Sequence, residues 1–549
     1  DSGKEAAKAD DKTAAKGDEK VTKPKPAVPV TIDFENLGQR IVALPIPPEN
    51  YGGVFAGKEG QLFLEQYPVV DISGGPPKFD VVRFDLEKRK VEPVAKGVSQ
   101  FYLSSDGEKM LVRSGKSWAI HPSDKASSGS EGALDVASMQ IYVDPPAEWR
   151  QMYDEVWRIE RDFLYDPHFH GLDLAAAKKA YRPYLAGVGS RDDLTYLFEE
   201  MTGNISLGHT FVRRGDRPPV DAVKVGLLGA DYAVENGRYR ITHIIQGENW
   251  NPDLRAPLTE PGVDVHEGDY LLAVNGVPVQ APNDVYSYFQ NTAGVQTTIR
   301  VGPSPDGTGA RNVTVVPIDS ESHLRKLAWI DANRRKVDAL SGGRLAYVYL
   351  PDTAGGGYTN FNRYFFSQVG KEGAVIDERF NHGGDLADYI VDYLGRKPMS
   401  RVMSREGEDY TEPVGAIFGP KVMIINQFSG SGGDALPWYF RKASVGTLVG
   451  TRTWGGLVGI GNYPTLIDGG TITAPRWAIY GLSGQWEVEN QGIPPDVEVE
   501  QDPKLVREGH DPQLERAVAV ALDDLKNHPP QTFPRPAYPV YQHPLPSGQ

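Results

Sequence analysis

The stretch KVMIINQFSGSGGDALPWYF, residues 421–440, decides the fold. An apolar run that ends at Asn426 predicts a buried strand. A Gly/Ser turn follows it and places Ser431 just before a predicted helix, which exposes the serine hydroxyl beside free backbone amides. Taken alone, the turn is equally typical of a flexible connection, because Gly/Ser runs are common.

Strands and helices alternate around this stretch, over about residues 321–526. Apolar segments such as RLAYVYL and VGTLVGT predict strands, and LADYIVDYLGR and DALPWYFRKA predict helices between them. This alternation indicates an α/β domain with a partly parallel sheet. The proline-rich residues 527–549 are predicted to be an irregular tail.

Residues 219–320 resemble a PDZ domain. The segment GVDVHEGDYLLAVNGVPV contains Asn275-Gly276, a pair that favours a tight hairpin, and NDVYSYF offers a short helix. PDZ domains bind an extended peptide as an added strand. A generic half-barrel that acts only as a spacer is the alternative interpretation.

The N-terminal part divides into three segments. Residues 146–218 carry apolar residues at helical spacing and predict a helical subdomain. Residues 29–145 contain short strands in groups near 40 residues, which is typical of a partial β-propeller, with a small sandwich as the alternative. Residues 1–28 are charged and predicted to be a disordered linker. The start at Asp1 raises the expectation that propeller material, and any signal segment, lies upstream.

Composition excludes several functions. The 549 residues carry a net charge of −15, which argues against a nucleic-acid-binding surface. The absence of cysteine excludes disulfides, thiolate metal sites and a cysteine nucleophile. His168 and His170 suggest a metal pair, but no third ligand is evident, so no metal and no cofactor are predicted.

A serine nucleophile needs a base, and the chain offers 11 histidines. Among them, His209 lies in the turn-like segment NISLGHTFVRRGD. Two further glycines, Gly383 and Gly384 in DERFNHGGD, follow a predicted strand and present amides suited to an oxyanion. Glu489 lies in the loop WEVENQGIPPD. Each of these residues, taken alone, is more often a packed or solvated one.

Several motifs together, namely NQFSGSGGD, RFNHGGD, GTRTWGGLVGI, VENQGIPPDVEVE and SLGHTF, resemble the C-terminal half of the tricorn protease family. The resemblance covers the chain from about residue 30. It implies a multidomain α+β fold in the order partial β-propeller, helical subdomain that carries the histidine, PDZ-like domain and ClpP/crotonase-like α/β catalytic domain.

The resemblance also assigns roles. It implies Ser431 as nucleophile, His209 as general base and Glu489 as the acid that orients the base. The oxyanion-hole amides map to Gly432 and Gly384.

Three departures from the family pattern stand out. Gly208 replaces the serine that usually precedes the histidine, so Glu489 is expected to reach His209 through water or Thr210, or to couple poorly with it. Gly432 replaces a frequent aspartate, which matters little because only its amide is needed. His382 lies inside the oxyanion segment.

The implied function is a serine endopeptidase or oligopeptidase that hydrolyses short peptides, such as products of other proteases, through an acyl-enzyme. The family further implies a homo-oligomer, with the hexamer as the candidate state, and partner peptidases. It implies neither a nucleic-acid partner nor a membrane partner. The implied location is the cytoplasm, with the periplasm as the alternative. Two alternatives stay open. One is a C-terminal-processing-type Ser/Lys protease, for which Lys442 is the only lysine soon after Ser431. The other is a non-catalytic peptide-binding homologue.

Overall fold

The computed structural model describes residues 31–68, 78–126 and 131–543. The predicted linker, residues 1–28, and the end of the predicted tail, residues 544–549, lie outside them. The chain forms two compact units, residues 1–143 and 144–549.

The first unit contains two four-stranded antiparallel sheets, with strand orders β1-β2-β3-β4 and β5-β6-β7-β8. Each sheet is a meander of consecutive strands, which is the form of a propeller blade. Phe63, Val81 and Met110 lie in its core. The strands are β1 Asn50–Ala56, β2 Gln61–Tyr67, β3 Phe79–Asp85, β4 Lys90–Val98, β5 Gln100–Leu103, β6 Lys109–Ser114, β7 Ser117–Pro122 and β8 Ala133–Leu134.

The second unit begins with helices. Asp144 caps the first of them by accepting a hydrogen bond from the Ala147 amide at 3.2 Å. The buried face of that helix, including Met152 and Val156, packs with Ile472 from far along the chain. The elements are α1 Pro145–Phe163, α2 Leu174–Tyr181, α3 Arg191–Gly203 and the short strand β9 Val212–Arg213.

A six-stranded antiparallel sheet follows, with the main order β10-β11-β12-β14-β15. Asn275 and Gly276 have φ angles of 49° and 80°, as the predicted tight hairpin requires. The short helix expected in NDVYSYF is a 3-10 turn, Val285–Phe289. The strands are β10 Ala230–Glu235, β11 Arg238–Ile244, β12 Tyr270–Val274, β13 Val277–Pro278, β14 Thr297–Gly302 and β15 Arg311–Val315.

The α/β part is built on a fully parallel sheet of order β16-β17-β20-β21-β25. Two helices cover one face of this sheet and three cover the other. The strands are β16 Leu345–Tyr349, β17 Gly373–Asp377, β18 Ser400–Val402, β19 Tyr410–Glu412, β20 Lys421–Ile425, β21 Gly446–Gly450, β22 Val458–Gly459, β23 Thr471–Ile472, β24 Trp477–Ala478 and β25 Val497–Glu498, and the helices are α4 Ser322–Ser341, α5 Gly355–Phe366, α6 Ala387–Leu394, α7 Gly432–Lys442, α8 Pro503–Arg507 and α9 Pro512–Asn527.

This topology positions the site. The loops that leave the carboxyl ends of β17, β20 and β21 meet at one edge of the sheet, which is where parallel α/β folds bind ligands. A separate two-stranded ribbon, β9 with β23, joins the segment after α3 to the α/β part. Among the described helices, none combines the length and the apolar character needed to cross a bilayer.

Glu160 on α1 leads to the first prediction. Its carboxylate is fully buried and has no hydrogen-bond partner among the described residues, and burial raises its pKa to about 8. In the unfolded chain this group ionises at its ordinary, lower pKa. The folded chain therefore binds the proton more tightly, and stability falls as pH rises between these two pKa values.

We expect the free energy of unfolding of the natural chain to fall by roughly 1.4 kcal/mol per pH unit in this range from this one group. Glu160→Gln should remove that component. Urea unfolding of both chains at pH values from about 5 to about 8 measures this slope. The same dependence of the unfolding free energy on pH in both chains would contradict the prediction.

Candidate active site

Ser431 stands between β20 and α7. It is the residue immediately before the helix and has φ 60° and ψ −117°, an unfavourable conformation for a residue with a side chain. Its amide donates to the Asp434 carboxylate at 2.9 Å. The helix N-terminus therefore lies beside a serine whose backbone is held in place by its own helix.

Two glycine-containing loops meet at this serine. A Cβ atom on Gly383 would lie 2.6 Å from the Ser431 Cβ, and a Cβ atom on Gly432 would lie 2.7 Å from the Gly384 nitrogen. Such close approach requires glycine at these positions. The loop after β17 and the start of α7 are thus packed backbone to backbone.

The amides of these glycines differ in what they bind. The Gly383 amide donates to the Asn381 side chain at 2.9 Å. Within residues 131–543, the amides of Gly384 and Gly432 donate no hydrogen bond. Two unengaged donors lying together next to a serine hydroxyl have the arrangement of an oxyanion hole.

His209 is brought to the same edge by the segment after α3. Its side chain is buried, and its ring lies 5.4 Å from the Trp454 ring and 5.6 Å from the Phe211 ring, centroid to centroid. Burial lowers the pKa of the imidazole. Its Nδ1 is buried and has no partner among the described residues. The ring is therefore neutral near pH 7 and able to accept a proton.

The backbone of this segment is held on both sides. The Thr473 hydroxyl donates to the His209 carbonyl oxygen and accepts from the Phe211 amide, beside the β9–β23 ribbon. These bonds fix His209 at φ 61°, a conformation that otherwise disfavours it.

Glu489 acts on this segment through the backbone. Its carboxylate accepts from the Gly208 amide at 2.9 Å and from the Leu457 amide, and burial is the main cause that raises its pKa. Within the described part of the chain it makes no hydrogen bond with the His209 ring. The Thr210 hydroxyl, one of the expected routes from Glu489 to His209, donates to the Leu207 carbonyl at 3.4 Å.

Trp454 links the histidine and serine segments. Its amide donates to the Ser429 carbonyl at 2.9 Å, and its ring leaves no room for a Cβ atom on Gly430, which would lie 2.6 Å away. The same ring lies against Gly208. The segments that carry Ser431 and His209 thus contact the same indole, and the Ser431 and His209 side chains form no hydrogen bond with each other in the described residues.

Asp434 is a residue that the sequence interpretation missed. Besides the Ser431 amide, its buried carboxylate accepts from the amides of Gly455 at 2.8 Å and Gly456 at 3.1 Å and from the Thr453 hydroxyl. Burial is the main cause that raises its pKa. The only signal in the sequence is an acid three residues after a serine at a helix start, which is a capping pattern.

Lys442, His168 and His170, the remaining sequence candidates, form no hydrogen bond with Ser431, His209 or Glu489 within the described ranges. The Lys442 ammonium pairs with the Glu487 carboxylate at 2.8 Å and lies 4.8 Å from the Trp438 ring centroid. His168 and His170 are exposed, and no group of metal-ligating side chains occurs in the described ranges.

Comparison with known proteins now defines the class. Residues 344–499 match the peptidase family S41 model, residues 226–320 match the tricorn protease PDZ domain, and residues 145–203 match the tricorn protease C1 domain. A parallel α/β domain of peptidase family S41 is thus preceded by two modules specific to one group of proteases.

The chain belongs to the tricorn protease family. It is 36% identical over 518 residues to tricorn protease homolog 1 of Streptomyces coelicolor, covering 92% of this chain and 48% of the relative. It is 31% identical to a putative tricorn-like protease C-terminal subunit of Sulfurisphaera tokodaii, covering 90% of this chain and 58% of the relative.

The crystal structure of the tricorn protease matches with a TM-score of 0.80 and 28% identity, over 88% of this chain and 47% of that one. The chain spans about half the length of the curated relatives it matches.

The role of Asp434 gives the second prediction. Asp434→Asn replaces one carboxylate acceptor with an NH₂ donor that faces other donors, so we expect the free energy of unfolding to fall by about 2–4 kcal/mol. Asp385→Asn is the matched control, because Asp385 is exposed on the neighbouring loop. Its effect should stay within about 0.5 kcal/mol. Urea titration measures both, and equal stabilities would contradict the role.

Proposed function

We propose that this chain is the catalytic part of a tricorn-like serine peptidase that hydrolyses short peptides through an acyl-enzyme. The observation that carries the proposal is the pair of unengaged amides, Gly432 and Gly384, beside Ser431 at a helix N-terminus. This arrangement favours a group that gains negative charge next to the serine.

In this mechanism the Ser431 hydroxyl attacks the carbonyl carbon of the scissile bond and His209 accepts its proton. The Gly432 and Gly384 amides stabilise the tetrahedral oxyanion. His209 then donates the proton to the leaving amine, and a water molecule releases the acid product by the same route. Glu489 acts as a positioning residue, since it holds the backbone that carries His209.

We further propose that the hydrogen bond between Ser431 and His209 forms when a peptide occupies the site. Catalytic hydrogen bonds are often long in unliganded enzymes and tighten in the substrate complex. Both segments contact the Trp454 ring, which supports their approach on substrate binding.

Neither of the two lysines nearest to Ser431 in the sequence, Lys442 and Lys421, supports the Ser/Lys alternative. Lys442 is occupied by Glu487. The buried Lys421, whose pKa burial lowers to about 8, stands at the start of β20, at the opposite end of the strand from Ser431. The non-catalytic alternative is favoured by one observation, the unformed bond between Ser431 and His209, and the next experiment distinguishes it.

The wider assignments are proposals that rest on the family. They comprise short peptides as substrates, a homo-oligomer with the hexamer as the candidate state, partner peptidases and a cytoplasmic location, with the periplasm as alternative. The domain limits predicted from the sequence are proposed in the same sense.

Ser431→Ala and His209→Ala should each reduce peptide turnover by roughly a thousandfold or more without changing the melting temperature substantially. Lys442→Ala should retain turnover. Product masses from a mixed peptide library measure activity, and a serine-reactive fluorophosphonate should label the natural chain but not Ser431→Ala. Turnover that survives in Ser431→Ala would contradict the assignment of Ser431 as nucleophile. Absence of both labelling and turnover in the natural chain would support the alternative of a non-catalytic peptide-binding homologue.

The buried imidazole also sets a pH dependence. Because burial lowers the pKa of His209, the base stays neutral below the ordinary histidine value near 6.5, so the acid limb of kcat/KM should have its midpoint below that value. Trp454→Ala exposes the ring and should move the midpoint upward. Phe428→Ala, which removes another exposed ring nearby, is the control. An acid limb at or above the ordinary value in the natural chain would be inconsistent with this role.

A further inference from the structure

A pocket beside the oxyanion loop has no role in the mechanism above. It is a cavity of about 380 Å³ lined by Lys326, Trp329, Tyr349, Phe380 and His382. His382 is two residues before Gly384, so one wall of the pocket belongs to the loop that supplies the proposed oxyanion donor. A ligand in this pocket therefore contacts the loop that carries the proposed oxyanion donor.

The walls are aromatic. The Trp329 ring lies 5.0 Å from the Tyr349 ring at 87° and 6.4 Å from the Phe380 ring at 75°. Phe380 in turn stacks on Phe428 at 5.5 Å, and Phe428 is three residues before Ser431. An aromatic surface therefore runs from the pocket to the nucleophile loop.

The pocket also holds a cation. The Lys326 ammonium lies 5.4 Å from the Tyr349 ring centroid, and partial burial lowers the pKa of this lysine. Between residues 131 and 543, Lys326 has neither an ion-pair nor a hydrogen-bond partner. A partly desolvated ammonium with no carboxylate in contact favours an anionic ligand.

The neighbouring charges are already engaged. The Arg379 guanidinium, which lies over the Trp329 ring, already forms ion pairs with the Asp377 and Asp511 carboxylates. Asp352 raises the pKa of Lys326 through its charge, but its carboxylate accepts from the Ala354 and Gly357 amides at 2.9 and 2.7 Å. Lys326 is thus the group in this pocket that is available to a ligand anion.

We propose that this pocket is a substrate subsite that binds a carboxylate carried on a short apolar stem. The stem packs against the Trp329 and Phe380 rings while the carboxylate pairs with the Lys326 ammonium. A glutamate side chain of a peptide and the C-terminal residue of a peptide both present this chemistry. The identity of the occupant as a peptide rests on the proposed function.

The test uses binding, so it does not depend on turnover. Three fluorescein-labelled hexapeptides of otherwise equal, neutral sequence are titrated into the Ser431→Ala chain and followed by fluorescence anisotropy. The first peptide contains one glutamate and has an amidated C-terminus, so its only carboxylate is the side chain. The second has glutamine in place of that glutamate and a free C-terminus, so its only carboxylate is terminal. The third has the glutamine and the amidated C-terminus, so it has no carboxylate. We expect the first, the second or both to bind about tenfold more tightly than the third, as a charge-assisted contact gives.

Lys326→Gln should abolish that preference, and Lys326→Arg should keep part of it. Arg335→Gln is the matched control, because it removes a charge from the same helix nine residues on, half a turn around the axis. It should leave the preference unchanged.

Equal binding of all three peptides to the Ser431→Ala chain overturns the proposal. So does a preference that survives Lys326→Gln, since another site, such as the 226–320 domain, then holds the carboxylate. Which of the two anionic peptides loses affinity in Lys326→Gln identifies the source of the carboxylate. Failure of the proposed function shows separately, as absence of turnover in the natural chain with the binding preference intact.

Discussion

Two carboxylates, the buried Asp434 and the half-buried Glu489, hold the loops of the site together. Asp434 accepts hydrogen bonds from the start of α7 and from residues 453–456, and Glu489 accepts from Gly208 and Leu457. Residues 453–457 therefore stand between the serine and the histidine and are tied to both. Because the Asp434 carboxylate is buried, losing one of its bonds leaves an amide with no water to replace the acceptor, which makes this part of the arrangement costly to disturb.

Close backbone packing is the second constraint. A side chain at position 383 or 432 would overlap Ser431 or the opposite loop. The parallel sheet makes this approach possible, since β17 and β20 are adjacent and their carboxyl ends deliver both loops to one edge. The proposed chemistry of the site thus depends on glycine at positions 383 and 432 as much as on Ser431, His209 and Glu489.

The sequence predicts the local parts of this molecule well. The strand, turn and helix at residues 421–440 follow from an apolar run and a Gly/Ser turn, and Asn275-Gly276 predicts its hairpin. Helix α4 was missed, because its buried residues, such as Leu324 and Asn333, do not form a clear apolar stripe.

Asp434 was missed for a different reason. An acid in the first turn of a helix is usually a cap, and its bonds to residues 453–456 depend on a tertiary approach that no local pattern encodes. The same holds for the bond of Glu489 to the Gly208 amide, which the expected routes to His209, through water or Thr210 or by poor coupling, did not include. The roles of the site residues remain predictions.

The β9–β23 ribbon is one of the contacts that hold the segment carrying His209 against the segment carrying Ser431. The proposed nucleophile and base lie in different segments, separated by more than 200 residues of chain that include the PDZ domain. Their alignment depends on contacts between these segments: the β9–β23 ribbon, the apolar cluster that joins α1 and α3 to Ile472, and the bond from the Gly208 amide to Glu489. In the proposed mechanism, hydrolysis therefore requires that these contacts be formed, and a chain in which they are broken would not hydrolyse peptides.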